Sequence, residues 1–270
     1  MDKNWWGPFS LKEGDAGRWQ VGPCTLWIER ERYEWRVTHW RAVDPMEELV
    51  DVEVPARTEL VRPDASVTVS LNRFSVQKTS EDLIIEPVLA NRPVIVRPRN
   101  ALYVEGNESS TLYVSTPVWL RIKIGEHRIL TEVPSIRPSD SWFGANTREG
   151  ELCYSSVTEG RTRVEDIPFR AHRVVTPVSI ENDSDEDLRV ERVRIPVQYL
   201  SLFRDDRGFF WTESMHFVRV KENEIASRRI DRGAPAAASK ATTISGPREV
   251  RDRSGLVRTF SSLINQIIDV

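Results

Sequence analysis

The stretch NALYVEGNESSTLYVSTPVWLRIKI (residues 100–124) decides the fold class. Leu102 and Val104 precede a polar turn, and Leu112 and Val114 then resume the same alternation of apolar and polar residues. An alternation with a period of two, carried by β-branched and aromatic residues, predicts strands with one buried face. This part of the chain is therefore expected to form β-structure.

Short runs of the same kind lie on both sides of this stretch. VDVEV (50–54), SVTVSL (66–71), LIIEPV (83–88) and PVIVR (93–97) precede it, and RVVTPVSIEN (173–182) follows it. The prolines between these runs mark strand starts and edges, because proline cannot donate a hydrogen bond within a central ladder. Strands that recur about every 8–12 residues, with turns between them, are typical of a sandwich or a barrel. We expect a mostly β fold of two β-sandwich-like domains or layers.

The N-terminal part of the chain is rich in tryptophan. Six of the nine tryptophans lie within residues 1–44. The run TLWIERERYEWRVTHW (25–40) alternates aromatic and β-branched residues with charged ones, which predicts a hairpin. We expect its aromatic face to pack under the next domain. An aromatic platform for sugars or a membrane interface is the alternative.

Changes in composition divide the chain into four consecutive segments. We expect a Trp-rich β segment (1–44), a β-sandwich-like domain (45–133), a second such domain (134–232), and a linker with a C-terminal helix (233–270). The second domain is expected to begin with a long connecting loop, because residues 134–172 are rich in Ser, Thr, Gly and charge.

The last residues have the pattern of an amphipathic helix. Apolar residues recur there at three- and four-residue steps, as on one face of a helix. These residues are Val257, Phe260, Leu263, Ile264 and Ile267. Residues 226–249 contain few aliphatic side chains and predict a linker before the helix. The helix is expected to pack on its own domain, to dock on a protein partner or a second copy, or to lie on a membrane surface.

Composition and charge exclude several classes of function. The 270 residues carry a formal net charge of -3, so no nucleic-acid partner is expected. The absence of a signal peptide and of a long apolar run predicts a soluble cytoplasmic protein with Cys24 and Cys153 reduced. The four histidines lack the spacing of metal ligands, and the common nucleotide-binding motifs are absent. We expect neither a metal nor a cofactor.

The segment 139–154 is the best candidate for a functional site, because it combines acids, an arginine, glycines and aromatic residues. It is expected either to pack between the two β domains or to bind a ligand. The candidate binding residues are Asp140, Trp142, Phe143, Arg148, Glu149 and Tyr154.

The same segment allows an alternative interpretation as a hydrolase-like enzyme. Cys153 would be the nucleophile, His172 the base, and Asp140 or Glu149 the orienting acid. However, Cys153 lies within a predicted strand, with no helix N-terminus behind it to lower the pKa of the thiol. A buried cysteine that acts as a small hydrophobic residue is favoured. No catalytic residue is therefore assigned.

Four stretches together resemble a known family. They are RPVIVRP (92–98), LYVSTPVWLRI (112–122), PSDSWFG followed by TREGELCY (138–154), and RVVTPVSIEN (173–182). They are similar to an uncharacterised prokaryotic family, domain-of-unknown-function family 432. The resemblance covers roughly residues 55–260 and does not include the Trp-rich segment 1–44.

The resemblance implies a β-rich soluble protein with no assigned activity. Some members are encoded beside mechanosensitive channels of the small-conductance type, which implies an accessory role. Taken with the residues, this favours a non-enzymatic binding or scaffold protein. Its partner would be a membrane-associated protein or a second copy of the chain, with peripheral membrane association. A small-ligand-binding protein or a hydrolase-like enzyme is the alternative.

Overall fold

The structure is a computed structural model that describes residues 4–56, 59–60, 63–77, 80–144, 150–221 and 224–250. Strands make up 53% of the chain, and the mostly β fold expected from the sequence is confirmed. The described residues contain two short 3-10 turns, Val164–Asp166 and Val197–Tyr199, and no α-helix. The predicted C-terminal helix lies outside the described residues. No helix in the described part of the chain is long and apolar enough to span a membrane.

The described residues form twenty-two strands, numbered in chain order. They are β1 (Gly7–Ser10), β2 (Ala16–Val21), β3 (Cys24–Arg30), β4 (Glu34–Arg41), β5 (Val50–Glu53), β6 (Ser70–Ser75), β7 (Asp82–Val88), β8 (Val94–Pro98), β9 (Leu102–Val104), β10 (Glu108–Pro117), β11 (Trp119–Ile124), β12 (Arg128–Pro134), β13 (Ser139–Phe143), β14 (Glu151–Thr158), β15 (Arg173–Asn182), β16 (Leu188–Val190), β17 (Val193–Ile195), β18 (Leu202–Arg204), β19 (Phe210–Trp211), β20 (Met215–Lys221), β21 (Glu224–Ile230) and β22 (Thr242–Ser245).

The chain divides into two compact units that are both discontinuous in sequence. The first unit comprises the described parts of 1–88, 118–137 and 170–172, and the second comprises the rest. The division into four consecutive segments stays a prediction.

The first unit contains two antiparallel sheets, with strand orders β1-β7-β11-β12 and β5-β2-β3-β4-β6. The hairpin predicted over 25–40 is formed by β3 and β4, where Trp27 lies opposite Thr38. Trp19 and Trp35 are fully buried, and Phe9 packs edge to face on Trp19 with ring centroids 5.2 Å apart. Burial of these side chains favours packing over an exposed aromatic platform in this part of the chain.

The second unit contains three sheets. The largest has the order β21-β20-β15-β19-β18-β22, with β10 also paired to β15. A four-stranded sheet has the order β13-β14-β8-β17, and β9 pairs with β16. The central strand β15 is RVVTPVSIEN, which pairs with strands on both sides, and its valines and isoleucine are buried on both faces of the sheet.

Two of the expected loop segments are in fact partly β-structure. In residues 134–172, β14 contains the short strand predicted around Cys153, whereas β13 was not predicted. Residues 226–249 contain part of β21 and all of β22, so the prediction of a linker over this range was wrong. Both segments have a polar composition because their strands lie at or near sheet edges, where one face needs little apolar burial. The strand predicted over 66–71 lies at Ser70–Ser75.

Candidate functional site

The hairpin of β13 and β14 carries most of the residues that the sequence indicated. Asp140 lies opposite Tyr154, and Trp142 lies opposite Leu152. Directly opposed residues of an antiparallel pair point to the same side of a sheet. These four side chains therefore share the outer face of the hairpin. Trp142 is 45% exposed and Leu152 is 43% exposed, so the centre of this face is a half-exposed apolar pair.

Polar groups border this apolar pair in a defined arrangement. The Arg92 guanidinium lies 3.4 Å from an Asp140 carboxylate oxygen and 5.4 Å from the centroid of the Tyr154 ring. The Tyr154 hydroxyl donates a hydrogen bond of 3.0 Å to Asn91 Oδ1. The ion pair is exposed, so it contributes less than about 1 kcal/mol to stability. Its effect is to orient Arg92, Asp140 and Tyr154 on one surface. We call the set Asn91, Arg92, Asp140, Trp142, Leu152 and Tyr154 the hairpin face.

Gly150 sets the position of the Trp142 indole. A Cβ atom at Gly150 would lie 2.3 Å from Trp142 Nε1 and 2.4 Å from Cε2. Contacts this short do not occur between real atoms, so the indole occupies space that only a glycine leaves open. The sequence places a glycine directly before β14, and this lets the indole lie against the backbone there.

The environment of Cys153 on the inner face of the hairpin is unsuited to nucleophilic chemistry. Cys153 is fully buried, and this burial raises the pKa of its thiol to about 11, with the Glu151 carboxylate acting in the same direction. The nearby Arg194 guanidinium opposes this effect, but Arg194 is itself paired with Glu151. At pH 7 a thiol with such a pKa is ionised to about one part in ten thousand. Phe143 is buried on the same side.

The side chain of His172 packs in the core of the first unit. Its imidazole covers Gly22, where a Cβ atom would lie 2.3 Å from His172 Nδ1. The His172 carbonyl accepts hydrogen bonds from the Val118 amide at 3.1 Å and from the Ser135 hydroxyl at 3.0 Å. His172 therefore packs against, or is hydrogen-bonded to, three segments of the first unit, which contain Gly22, Val118 and Ser135.

The triad of Cys153, His172 and Asp140 is not assembled within either unit. His172 belongs to the first unit, and the other two residues belong to the second. Within the hairpin, Asp140 lies on the outer face and Cys153 on the inner face. Within the second unit, the Asp140 carboxylate is paired with the Arg92 guanidinium.

Some candidate residues fall outside what the structure describes. These are Arg148 and Glu149 of the hairpin loop and the apolar helix residues Val257, Phe260, Leu263, Ile264 and Ile267. Among the described residues, no group of three or more His, Cys, Asp or Glu side chains is placed to hold a metal ion.

Sequence reasoning missed part of the hairpin face. It did not indicate Asn91, Arg92 or Leu152, and it did not indicate the role of Gly150. Arg92 reaches the face because β8 runs parallel to β14, with Val94 opposite Tyr154. Such long-range parallel pairing leaves no signal in the local sequence pattern.

Comparison with protein-family models decides to which family this chain belongs. The model of the family described as Protein of unknown function (DUF432) matches residues 5–265. The chain belongs to the DUF432 family. The match includes the Trp-rich segment, so the expectation that the DUF432 resemblance begins near residue 55 was wrong. The search of the curated proteins and the search of the solved structures each returned no match.

Proposed function

We propose that this member of the DUF432 family is a non-catalytic binding protein that recognises a protein partner through the hairpin face. The observation that carries the proposal is the exposed pair of Trp142 and Leu152 on a regular hairpin. Large apolar side chains that lie together in an oriented polar border are typical of protein interaction sites.

The chemistry of the hairpin face supports recognition of a protein. Trp, Tyr and Arg are the residue types that most often dominate binding energy at protein interfaces. Arg92 and Asp140 already neutralise each other, so covering them does not leave a single unpaired charge in the interface. The partner is expected to present an apolar side chain to Trp142 and polar groups to the border.

The proposed partner is a membrane-associated protein, and a mechanosensitive channel of the small-conductance type is the specific candidate. This step rests on the family resemblance, since some members are encoded beside such channels. The chain would then act at the cytoplasmic side of the membrane as an accessory or scaffold protein. The apolar residues of the predicted C-terminal helix, with Leu263 at their centre, would provide a second contact with the same partner.

A binding measurement with a purified small-conductance mechanosensitive channel in detergent tests this proposal. The full chain is compared with Trp142→Ser and with Tyr103→Ser, a matched control because Tyr103 is an exposed aromatic residue of the same unit. We expect Trp142→Ser to weaken binding about tenfold or more, because a central aromatic contact contributes about 1.4 kcal/mol or more. Tyr103→Ser should bind like the unchanged protein. Absence of binding by the unchanged protein would reject the channel as partner, and equal binding by both variants would reject the hairpin face.

The structure provides a physical argument against the hydrolase-like alternative. Its nucleophile would be a buried thiol whose pKa is raised to about 11. Its base would be a histidine that packs on Gly22 in the core of the first unit. Both features favour a structural role for these residues.

A further inference from the structure

We infer that Arg41 and Arg137, with His39 beside them, form a binding site in the first unit for a dianionic oxyanion of the phosphate class. The inference is independent of the proposed function, because the hairpin face belongs to the second unit. It rests on two neighbouring guanidinium groups that no carboxylate of the described residues neutralises.

The strand β4 places Arg41 between the two sheets of the first unit. Its Nη1 atom lies 2.6 Å from Nδ1 of His39, which precedes it by two residues on the same face of β4. Its Nη2 atom donates a hydrogen bond to the carbonyl of Pro134, the last residue of β12 in the other sheet. The guanidinium therefore bridges a strand of one sheet and an edge strand of the other, and these hydrogen bonds fix its position.

The nearest polar neighbours of Arg41 do not compensate its charge. A guanidinium has donors only, so Nδ1 of His39 accepts the hydrogen bond and carries no proton. Burial and the charge of Arg41 lower the pKa of His39 to about 4, so its imidazole is neutral at pH 7. Cys24 lies directly opposite Arg41 on β3 and is fully buried, which raises the pKa of its thiol. Neither His39 nor Cys24 supplies a negative charge at pH 7.

A second guanidinium group acts on Arg41. Arg137 is exposed and follows Pro134, the hydrogen-bond acceptor of Arg41, by three residues. Ser135 in this segment is held by hydrogen bonds from its amide and its hydroxyl to two carbonyl oxygens, each 3.0 Å long. Burial lowers the pKa of Arg41, and the positive charge of Arg137 acts in the same direction. The two positive charges are therefore close enough to repel each other.

The other half-buried arginines of the first unit are neutralised within the chain. Each of these five arginines is paired with a carboxylate, whereas neither Arg41 nor Arg137 forms an ion pair in the described part of the chain. The five pairs are Arg18 with Asp51, Arg30 with Glu81, Arg36 with Glu34, Arg121 with Glu132, and Arg170 with Glu48. A half-buried charge without a counter-charge costs free energy. An anion bound between Arg41 and Arg137 would remove this cost.

The charge and the donors of this site favour a dianionic oxyanion. Guanidinium groups bind phosphate and carboxylate oxygens through charge-assisted hydrogen bonds. Each Nη atom of Arg41 carries a second N–H besides the one that is already hydrogen-bonded, and Arg137 adds further donors. Two positive charges are matched by a phosphate group, which carries about two negative charges near pH 7, better than by a single carboxylate. The expected ligand is therefore the free phosphate ion or a small phosphate ester.

Titration calorimetry of the full chain with sodium phosphate, at pH 7.5 and constant ionic strength, tests the inference. We expect saturable binding with a dissociation constant of about 1 mM or lower. Arg137→Gln removes one of the two charges and should weaken binding about tenfold or more. The matched control is Arg128→Gln, because Arg128 is an exposed arginine of the same unit at the opposite end of β12 from Pro134. It should bind phosphate like the unchanged chain. Both replaced side chains are exposed, and equal circular dichroism spectra would show that both variants are folded.

Nuclear magnetic resonance of the histidine side chains locates the bound anion. The imidazole signals of His39 should shift with phosphate until they saturate, while those of His127, whose side chain is 93% exposed in the same unit, should not. Sodium acetate carries one negative charge and should bind about tenfold more weakly or worse. Tighter binding of glycerol 3-phosphate than of phosphate would assign the site to a phosphate ester, and equal or weaker binding would assign it to the free ion.

Several results would overturn the inference. They are the absence of saturable phosphate binding, an equal affinity of Arg137→Gln and the unchanged chain, acetate binding as tight as phosphate binding, and a shift of His127 as large as that of His39. None of these results bears on the hairpin face, because binding of the channel is measured separately and depends on Trp142. Loss of channel binding would likewise leave the phosphate site unaffected.

Discussion

Replacement of Gly22 by alanine gives a quantitative test of the role of His172. Gly22 lies in the turn between β2 and β3 with a φ of +57°, and an added Cβ atom would lie 2.3 Å from His172 Nδ1. The backbone amide of Gly22 donates a 2.9 Å hydrogen bond to the Leu49 carbonyl, which holds the turn in place. The turn therefore cannot move freely away from the imidazole.

The chain offers a closely matched control at Gly125. It has the same φ of +57°, it lies in a turn of the same unit, and its amide donates a 2.9 Å hydrogen bond to the Asp82 carbonyl. The difference is that, apart from Gly125 itself and its two chain neighbours, no residue has an atom within 4 Å of the Cβ position at Gly125. Gly125→Ala therefore reports the cost of a left-handed alanine alone, which is about 1–2 kcal/mol.

The expected free energies follow from these two environments. Gly22→Ala carries the same backbone cost, and it adds an overlap with a buried ring, which costs about 1–3 kcal/mol more. Urea unfolding at 25 °C should therefore show Gly22→Ala to be less stable than Gly125→Ala by about 1–3 kcal/mol. In the double variant Gly22→Ala with His172→Ala, the overlap is removed, and the two effects should be less than additive by a similar amount. Equal destabilisation by the two glycine substitutions, within about 0.5 kcal/mol, would refute the packing of His172 on Gly22.

Three further predictions concern Cys153, the hairpin and a surface ion cluster. Because burial raises the pKa of the Cys153 thiol to about 11, a thiol reagent at pH 7.5 should label it only after unfolding; rapid labelling of the native protein would contradict this. Gly150→Ala should displace the indole of Trp142 and weaken binding to the proposed channel partner while lowering stability by less than about 1 kcal/mol, as measured by a binding assay and by thermal unfolding. The hydrogen bond from Arg73 lowers the pKa of Glu34 to about 2, so the charged form of Glu34 is favoured by folding. The ionised Glu34 carboxylate therefore stabilises the fold above pH 4.5, and this stabilisation is lost as the pH falls towards 2. Between these pH values, the thermal midpoint of Glu34→Gln should fall less than that of the unchanged protein.

Strands with a continuous alternating pattern could be predicted from sequence. Residues 83–88 and 118–124 correspond closely to β7 and β11, because Leu83, Ile85, Leu120 and Ile122 alternate and are buried. Local sequence carries this information because the period of two is a property of the strand itself. Their arrangement could not be predicted, since β7 pairs with β1 and β11 through contacts between distant segments.

The candidate site, too, could be predicted from the sequence only in part. The segment 139–154 was identified by its composition, and three of its predicted residues, Asp140, Trp142 and Tyr154, share one face. The strand β13 was missed, because a sequence such as SDSWF has too few aliphatic residues to be recognised as a strand. Arg92 could not be assigned to the site, because it precedes Asp140 by 48 residues and reaches it through the pairing of β8 with β14.

Hydroxyl-radical footprinting of a complex with the proposed partner, a small-conductance mechanosensitive channel, tests most directly whether the hairpin face is the recognition surface. Trp142 and Leu152 are exposed and should be oxidised in the free protein. We expect the channel to protect both side chains, and to leave Tyr103, which is 59% exposed in the same unit, oxidised as before. Unchanged oxidation of Trp142 and Leu152 in a complex that has formed would contradict the account.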